Sequence, residues 1–256
     1  MYERWNDRIF NKIKEKGVSL SSAAIILSTV AYSMPADPSF RKPISFMTKK
    51  AHQDSEATTQ EVRKLIENKA TFTQSDEKEL EKLLSNRFGL NLKTTLDGNR
   101  LNKSIGYIGA EQHLYRWPGD NLSKHNLIQS GIAPNKGAFG YFDTAEQEEY
   151  YIAAQIHMLP DWNKNWSRLK PWYRFRKVLV YNPDNGKAVV AVIGDAGPSE
   201  YTGKTFGGSP EIMKYLERVD GSQKGKVIVL FIDNADSRVR LGAIGNSEEV
   251  VAARNL

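Results

Sequence analysis

Asp195 stands at the end of a valine-rich run, Ala188 to Ile193, and is followed at once by Ala196-Gly197-Pro198. A carboxyl partly withdrawn from water at such a strand end can hold a proton near neutrality and act as a general acid. Its plainer use is to cap the loop by accepting backbone N–H bonds. His157 could orient that acid or bind a substrate, although a histidine in a half-buried strand is more often a packed core residue. Upstream, Glu111-Gln112-His113, Asp120 and His125 form a polar cluster. Glu-x-His puts two ligand types on one side of a strand and could hold a metal. No third ligand follows at a diagnostic spacing, so neither a metal nor a cofactor is assigned. Trp162, Trp166, Trp172 and Tyr173, interleaved with Lys164, Arg168 and Lys170, suit stacking on sugar rings or on bases. The same residues read equally well as a folded insertion covering the domain.

Other chemistries find no footing. The chain lacks the Gly-x-Gly-x-x-Gly, Walker-type, His-Glu-x-x-His and Gly-x-Ser-x-Gly patterns, which argues against nucleotide, zincin and serine-hydrolase activities. It has no cysteine, so disulfides, thiolate metal sites and thiol nucleophiles are excluded. The formal charge of +6 on 256 residues suits an anionic partner, or solubility alone.

The elements that must position these residues begin at Ile105, where glycines become frequent and apolar runs shorten to strand length. Ala138–Phe142, Tyr150–Met158, Arg176–Tyr181, Lys187–Ile193 and Lys226–Ile232 read as strands, the last an apolar run suited to burial on both faces. Asn182-Pro183-Asp184-Asn185-Gly186 reads as a tight hairpin turn. Ser209, Pro210 and Glu211 open a short helix to Leu216. Before the barrel, Thr58–Asn68 carries Val62, Leu65 and Ile66 on one helical face. A second helix opens at Ser75, buries Leu80, Leu83, Leu84 and Phe88, and ends at Gly89. Phe40–Asp54 reads as a basic linker. Arg4, Arg8, Lys12, Lys14 and Lys16 precede the apolar Val18–Met34, with small residues at Ala31 and Ser33, the pattern of an export signal or a weak membrane anchor.

The run Lys177 to Pro198 resembles the central motif of the rare lipoprotein A-like double-psi β-barrels, relatives of expansins and certain lytic transglycosylases. Asn182, Asn185 and Gly186 fit that family's Asn-x-x-Asn-Gly turn, and Asp195, Gly197 and Pro198 its Asp-Arg-Gly-Pro loop. Ile152 to Pro160 resembles its Thr-Ala-Ala-His and Leu-Pro stretch, and Phe142-Asp143 its Phe-Asp pair. Gly203-Lys204 followed by Phe206 to Ser209 resembles its Gly-Arg and Ile-Asp-Leu-Ser elements, with Gly207 standing where the family has aspartate.

The resemblance implies a mainly β chain: a six-stranded double-psi barrel with a short helix, preceded by a small helical region. The expected divisions are 1–35 signal peptide or anchor, 36–104 linker and helices, 105–246 barrel and 247–256 tail. It implies an exported, extracytoplasmic protein that binds peptidoglycan or another anionic polysaccharide, with no nucleic acid and with membrane contact only through the N-terminus. In its enzymatic form, Asp195 and His157 would be catalytic, with Tyr201, Lys204, Trp162, Trp166 and Trp172 lining the substrate. Lytic cleavage needs a single acid/base, because the sugar's own hydroxyl displaces the leaving group, whereas hydrolysis calls for a carboxylate pair. The absence of aspartate at Gly207 favours the former. The alternative is a non-catalytic, expansin-like wall-binding or structural module.

Overall fold

The protein is represented by a computed structural model that describes residues 44–67, 72–218 and 225–245, with side chains described from Gln53 onward. The expected export segment 1–35 and the tail 247–256 lie outside the described residues. No helix among the described residues is long and apolar enough to cross a membrane.

Six strands close into a barrel: β4 (Ile105–Ala110), β5 (Tyr151–Ala154), β6 (Lys177–Tyr181), β7 (Ala188–Ala196), β8 (Phe206–Gly208) and β9 (Lys226–Ile232). Around the barrel, β4 pairs with β8 and β5 with β7 in parallel, while β8–β5, β7–β6, β6–β9 and β9–β4 are antiparallel. Two long strands change partner halfway. β7 pairs with β10 (Gly242–Ile244) over Ala188 to Val190 and with β5 from Val192 onward. β9 pairs with β4 over Lys226 to Ile228 and with β1 (Leu92–Lys93) over Phe231 and Ile232. A small hairpin of β2 (Thr95–Leu96) and β3 (Asn99–Arg100) lies between β1 and β4.

The side-chain period of two divides each strand between two cores. Val178, Val180, Val189, Ala191, Ile193, Val227, Val229 and Phe231 fill one cluster with Ile108, Ile152 and Phe206. Leu179, Tyr181, Val190, Ile228, Leu230 and Ile232 form the other, under helices α1 (Ile44–Ile66) and α2 (Gln74–Phe88), which bury Val62, Leu65, Leu80, Leu84 and Phe88 there. Both faces are covered, which is why Lys226–Ile232 reads as continuously apolar. The half-buried Arg87 guanidinium binds Ser55, Thr59, the Tyr181 hydroxyl and the Gly186 carbonyl, tying both helices to the β6–β7 hairpin. The helices are therefore a cap packed on the barrel.

The hairpin turn, the β9 strand and the Ser209-capped helix α5 (Pro210–Tyr215) form as the sequence predicts. Gly186 adopts the positive φ, 76°, that the turn requires. Elsewhere the boundaries move. Helix α1 starts at Ile44, inside the expected linker. Helix α2 is capped by Thr73, not Ser75: Thr73 Oγ1 accepts from the Asp76 N–H and the Asp76 carboxylate accepts from the Thr73 N–H, a reciprocal capping box. Ala138–Phe142 is a turn, because the Ala138 N–H is taken by the Asp195 carboxylate. The strand expected to run to Met158 stops at Ala154. There the Gln155 side chain donates to the carbonyls of Pro198 and Lys204, and a 3-10 turn follows. The tryptophan-rich insertion is helix α4 (Trp162–Tyr173).

Candidate functional site

Asp195 emerges at the end of β7, where Ala153 of β5 faces it in register and Gly207 of β8 faces Ala153 on the other side. Residues paired across strands project to the same face of a sheet. The three therefore form a row whose ends are two strand spacings, roughly 10 Å, apart. Asp195 Oδ1 accepts from the N–H groups of Ala138 (2.7 Å) and Ala196 (2.8 Å), and Oδ2 has no hydrogen-bond partner among the described residues. The sequence left the far end of this row without a carboxylate. In the structure Glu111 supplies one: a Cβ placed on Gly207 would lie 2.2 Å from Glu111 Oε1. Glycine at 207 is thus a condition for Glu111 to lie across β8. Lys204 holds that carboxylate at 2.8 Å and also donates to the Ala110 carbonyl. The site thus gains a second carboxylate, already neutralised by a lysine: sequence reading groups Glu111 with His113 as a metal-ligand pair, but in the structure it turns to Lys204 instead.

Of the predicted substrate residues, Lys204 is therefore part of this row, and Tyr201, 92 % exposed, rides on the same Ser199–Lys204 loop. The tryptophans divide. Trp162 and Trp172 pack against the barrel core, and Trp172 Nε1 donates to Asp97. Trp166 is exposed beneath Lys170. His157 lies in the 3-10 turn after β5, with Nδ1 buried and unpartnered. No hydrogen bond joins it to Asp195 among the described residues.

Two residues beyond Glu111 the chain enters a buried polar cluster. The His113 and His125 rings lie tilted by 44° with centroids 4.2 Å apart, and both face Glu148 of helix α3 (Ala145–Glu149), all three buried. His113 Nδ1 is 3.0 Å from Glu148 Oε1 and its Nε2 is 3.0 Å from the Leu127 carbonyl. His125 Nδ1 is 3.1 Å from Glu148 Oε2 and its Nε2 is 3.1 Å from Asp120 Oδ2. Arg116 grips Asp120 with two bonds of 2.8 Å. Burial opposes the Asp120 charge, yet the Arg116 hydrogen bonds and charge hold this carboxyl well below the usual carboxylate range. Burial likewise disfavours charge on both imidazoles. Glu148 and the Leu127 carbonyl outweigh it for His113, whose pKa rises, whereas burial prevails for His125, whose pKa falls. Two imidazolium charges at this separation would repel by about 4 kcal/mol at an effective dielectric of ~20.

Sequence reading found His113, Asp120 and His125 but not Glu148, which sits 35 residues from His113 in a run, Glu146 to Glu149, that looks like a solvated face. Nearby, Glu211 has both carboxyl oxygens buried with no partner beyond its own N–H, and burial pushes it up to about 7. The Tyr151 hydroxyl donates to the Gln112 carbonyl between the two sites and feels the charges of Glu111, Glu148, Asp195 and Glu211. A hollow of about 430 Å³ beside α1, lined by Ser55, Thr59, Arg63 and Asp184, involves none of these groups. Compared with family models, with curated proteins and with solved structures, the chain matches none.

Proposed function

We propose that the chain binds the glycan of a cell wall at the Asp195 end of the barrel and cleaves the strand there, with Asp195 as the single acid/base. The observation that carries this is the half-satisfied carboxylate: Oδ1 is fixed by two backbone N–H groups, and Oδ2 is left without a protein partner. Such a group is oriented before substrate arrives and keeps one oxygen for proton transfer. It would protonate the leaving glycosidic oxygen while a hydroxyl of the same sugar attacks the anomeric carbon. That hydroxyl's proton returns to Asp195, leaving an anhydro-sugar end. Glu111 is bonded to Lys204 and serves binding, because an ion-paired carboxylate is poorly placed to activate water. Exposed Tyr201 offers a sugar-stacking face at the same loop.

The double-psi form of the barrel is supported by its two parallel pairs, β4–β8 and β5–β7, and by the partner changes along β7 and β9. Export rests on the basic and then apolar N-terminal run. The second reading, an expansin-like wall binder without catalysis, is favoured by the two backbone N–H bonds that Asp195 Oδ1 accepts, which is how a carboxylate caps a loop. Incubating the protein and an Asp195→Asn variant with purified peptidoglycan, followed by mass spectrometry of soluble products, separates the two. Anhydro-ended fragments reduced ~10²–10⁴-fold in the variant fit the enzyme. Co-sedimentation without release fits the binder. If the protein neither sediments nor releases fragments, both readings fall.

A further inference from the structure

Every polar contact of His113 and His125 is with an acceptor: a backbone carbonyl and a carboxylate oxygen for His113, and two carboxylate oxygens for His125. A neutral imidazole has one N–H and one lone pair, so in any tautomer each ring turns a lone pair on an acceptor. The arrangement is complete only if positive charge enters between the rings and Glu148. The Nε2 sides are already occupied in the way metal-bound histidines are supported, by a backbone carbonyl (Leu127) and by a carboxylate that Arg116 fixes (Asp120). The Leu114 N–H donates to Glu148 Oε1 and orients the third group. The ligand atoms of His113, His125 and Glu148 lie within 4.8 Å of one another. The nitrogen–oxygen separations of 3.0 and 3.1 Å approach the edge of roughly 3.3 Å expected between ligands of a tetrahedral zinc site.

We propose that His113 Nδ1, His125 Nδ1 and the two oxygens of Glu148 bind a divalent transition-metal ion of the zinc type. Nitrogen ligands favour zinc, cobalt or nickel over calcium and magnesium. All three side chains are buried, so the ion is structural, with no position open to substrate. It fastens the segment following β4, which carries Glu111 and Trp117, to helix α3 and the start of β5. This inference is independent of the glycan reading.

The test uses the full chain. Metal content is measured after purification without chelator. Protein stripped with a chelator is then titrated with Zn²⁺, and separately with Co²⁺ while visible absorption is followed. The expected result is one equivalent bound per chain, a four-coordinate Co²⁺ spectrum, and a Tm that rises with Zn²⁺ but not with Ca²⁺. His157→Ala should keep the equivalent and Glu148→Gln should lose it. Because Glu148→Gln also disturbs a buried carboxylate that anchors both histidines and the Leu114 N–H, ¹⁵N NMR of the wild-type imidazoles supplies the second reading, with Zn²⁺ predicted to shift the Nδ1 signals of two histidines alone. Absence of retained metal, together with no uptake of Zn²⁺ or Co²⁺ and no shift of the imidazole Nδ1 signals, would overturn the proposal in favour of a purely protonic network.

Discussion

At the scale of single residues, the candidate site turns on one glycine. Gly207 has no side chain because the Glu111 carboxylate, fixed by Lys204, occupies that space. Gly207→Ala should therefore push the Glu111 side chain off Lys204 and cost up to about 1 kcal/mol, the worth of a partly exposed ion pair. In a Glu111→Ala background most of that cost should vanish, which a denaturation double-mutant cycle measures. Equal costs in both backgrounds would mean that the clash lies elsewhere. Glu211 makes a pH prediction. Its folded-state pKa, pushed up to about 7 by burial, exceeds the ordinary 4.5, so the fold favours the protonated form. In metal-stripped protein this contribution is fully present below about 4.5 and disappears as pH rises through about 7. Thermal melts between those values should show Glu211→Gln losing less stability with rising pH than the wild type.

At the scale of elements, Arg87 is the tie between the helical cap and the barrel. Its five hydrogen bonds reach α1, the Tyr181 hydroxyl and the Gly186 carbonyl. Arg87→Leu would leave the buried Gly186 carbonyl without its donor, while Tyr181, Thr59 and Ser55 keep bonds to one another, at a cost of about 1–3 kcal/mol. Hydrogen exchange should show α1 amides opening earlier while β9 stays protected, and uniform loss of protection would argue against a separable cap. What the sequence revealed follows the same scale. The β6–β7 hairpin and β9 were legible because their apolar runs are bounded by strong turn signals and both faces are covered. The Ala138–Phe142 turn was not, since its fate depends on Asp195, 57 residues away, capturing a backbone N–H. Helix α4 was hidden by Pro171 and by Asn165, whose φ of −118° interrupts the helical pattern. The buried cluster was half legible: two histidines and Asp120 stood out, but Glu148 joins them only through the tertiary fold.

At the scale of the molecule, a six-stranded barrel covered on one side by helices brings one half-satisfied carboxylate, Asp195, a lysine-bound one, Glu111, and an exposed tyrosine to neighbouring loops. The valine-rich run before Asp195 puts that carboxylate at this end of β7, and the structure adds Glu111 across Gly207. The most direct check on the central claim is to add soluble wall-glycan oligomers to ¹⁵N-labelled protein and map the amide shifts. The account predicts that they concentrate at Ala138, Ala153, Asp195, Ala196, Tyr201 and Lys204, and that Asp195→Asn weakens them. Shifts confined to the Ser55–Arg63 and Asp184–Asn185 hollow, or no shifts at millimolar glycan, would contradict it.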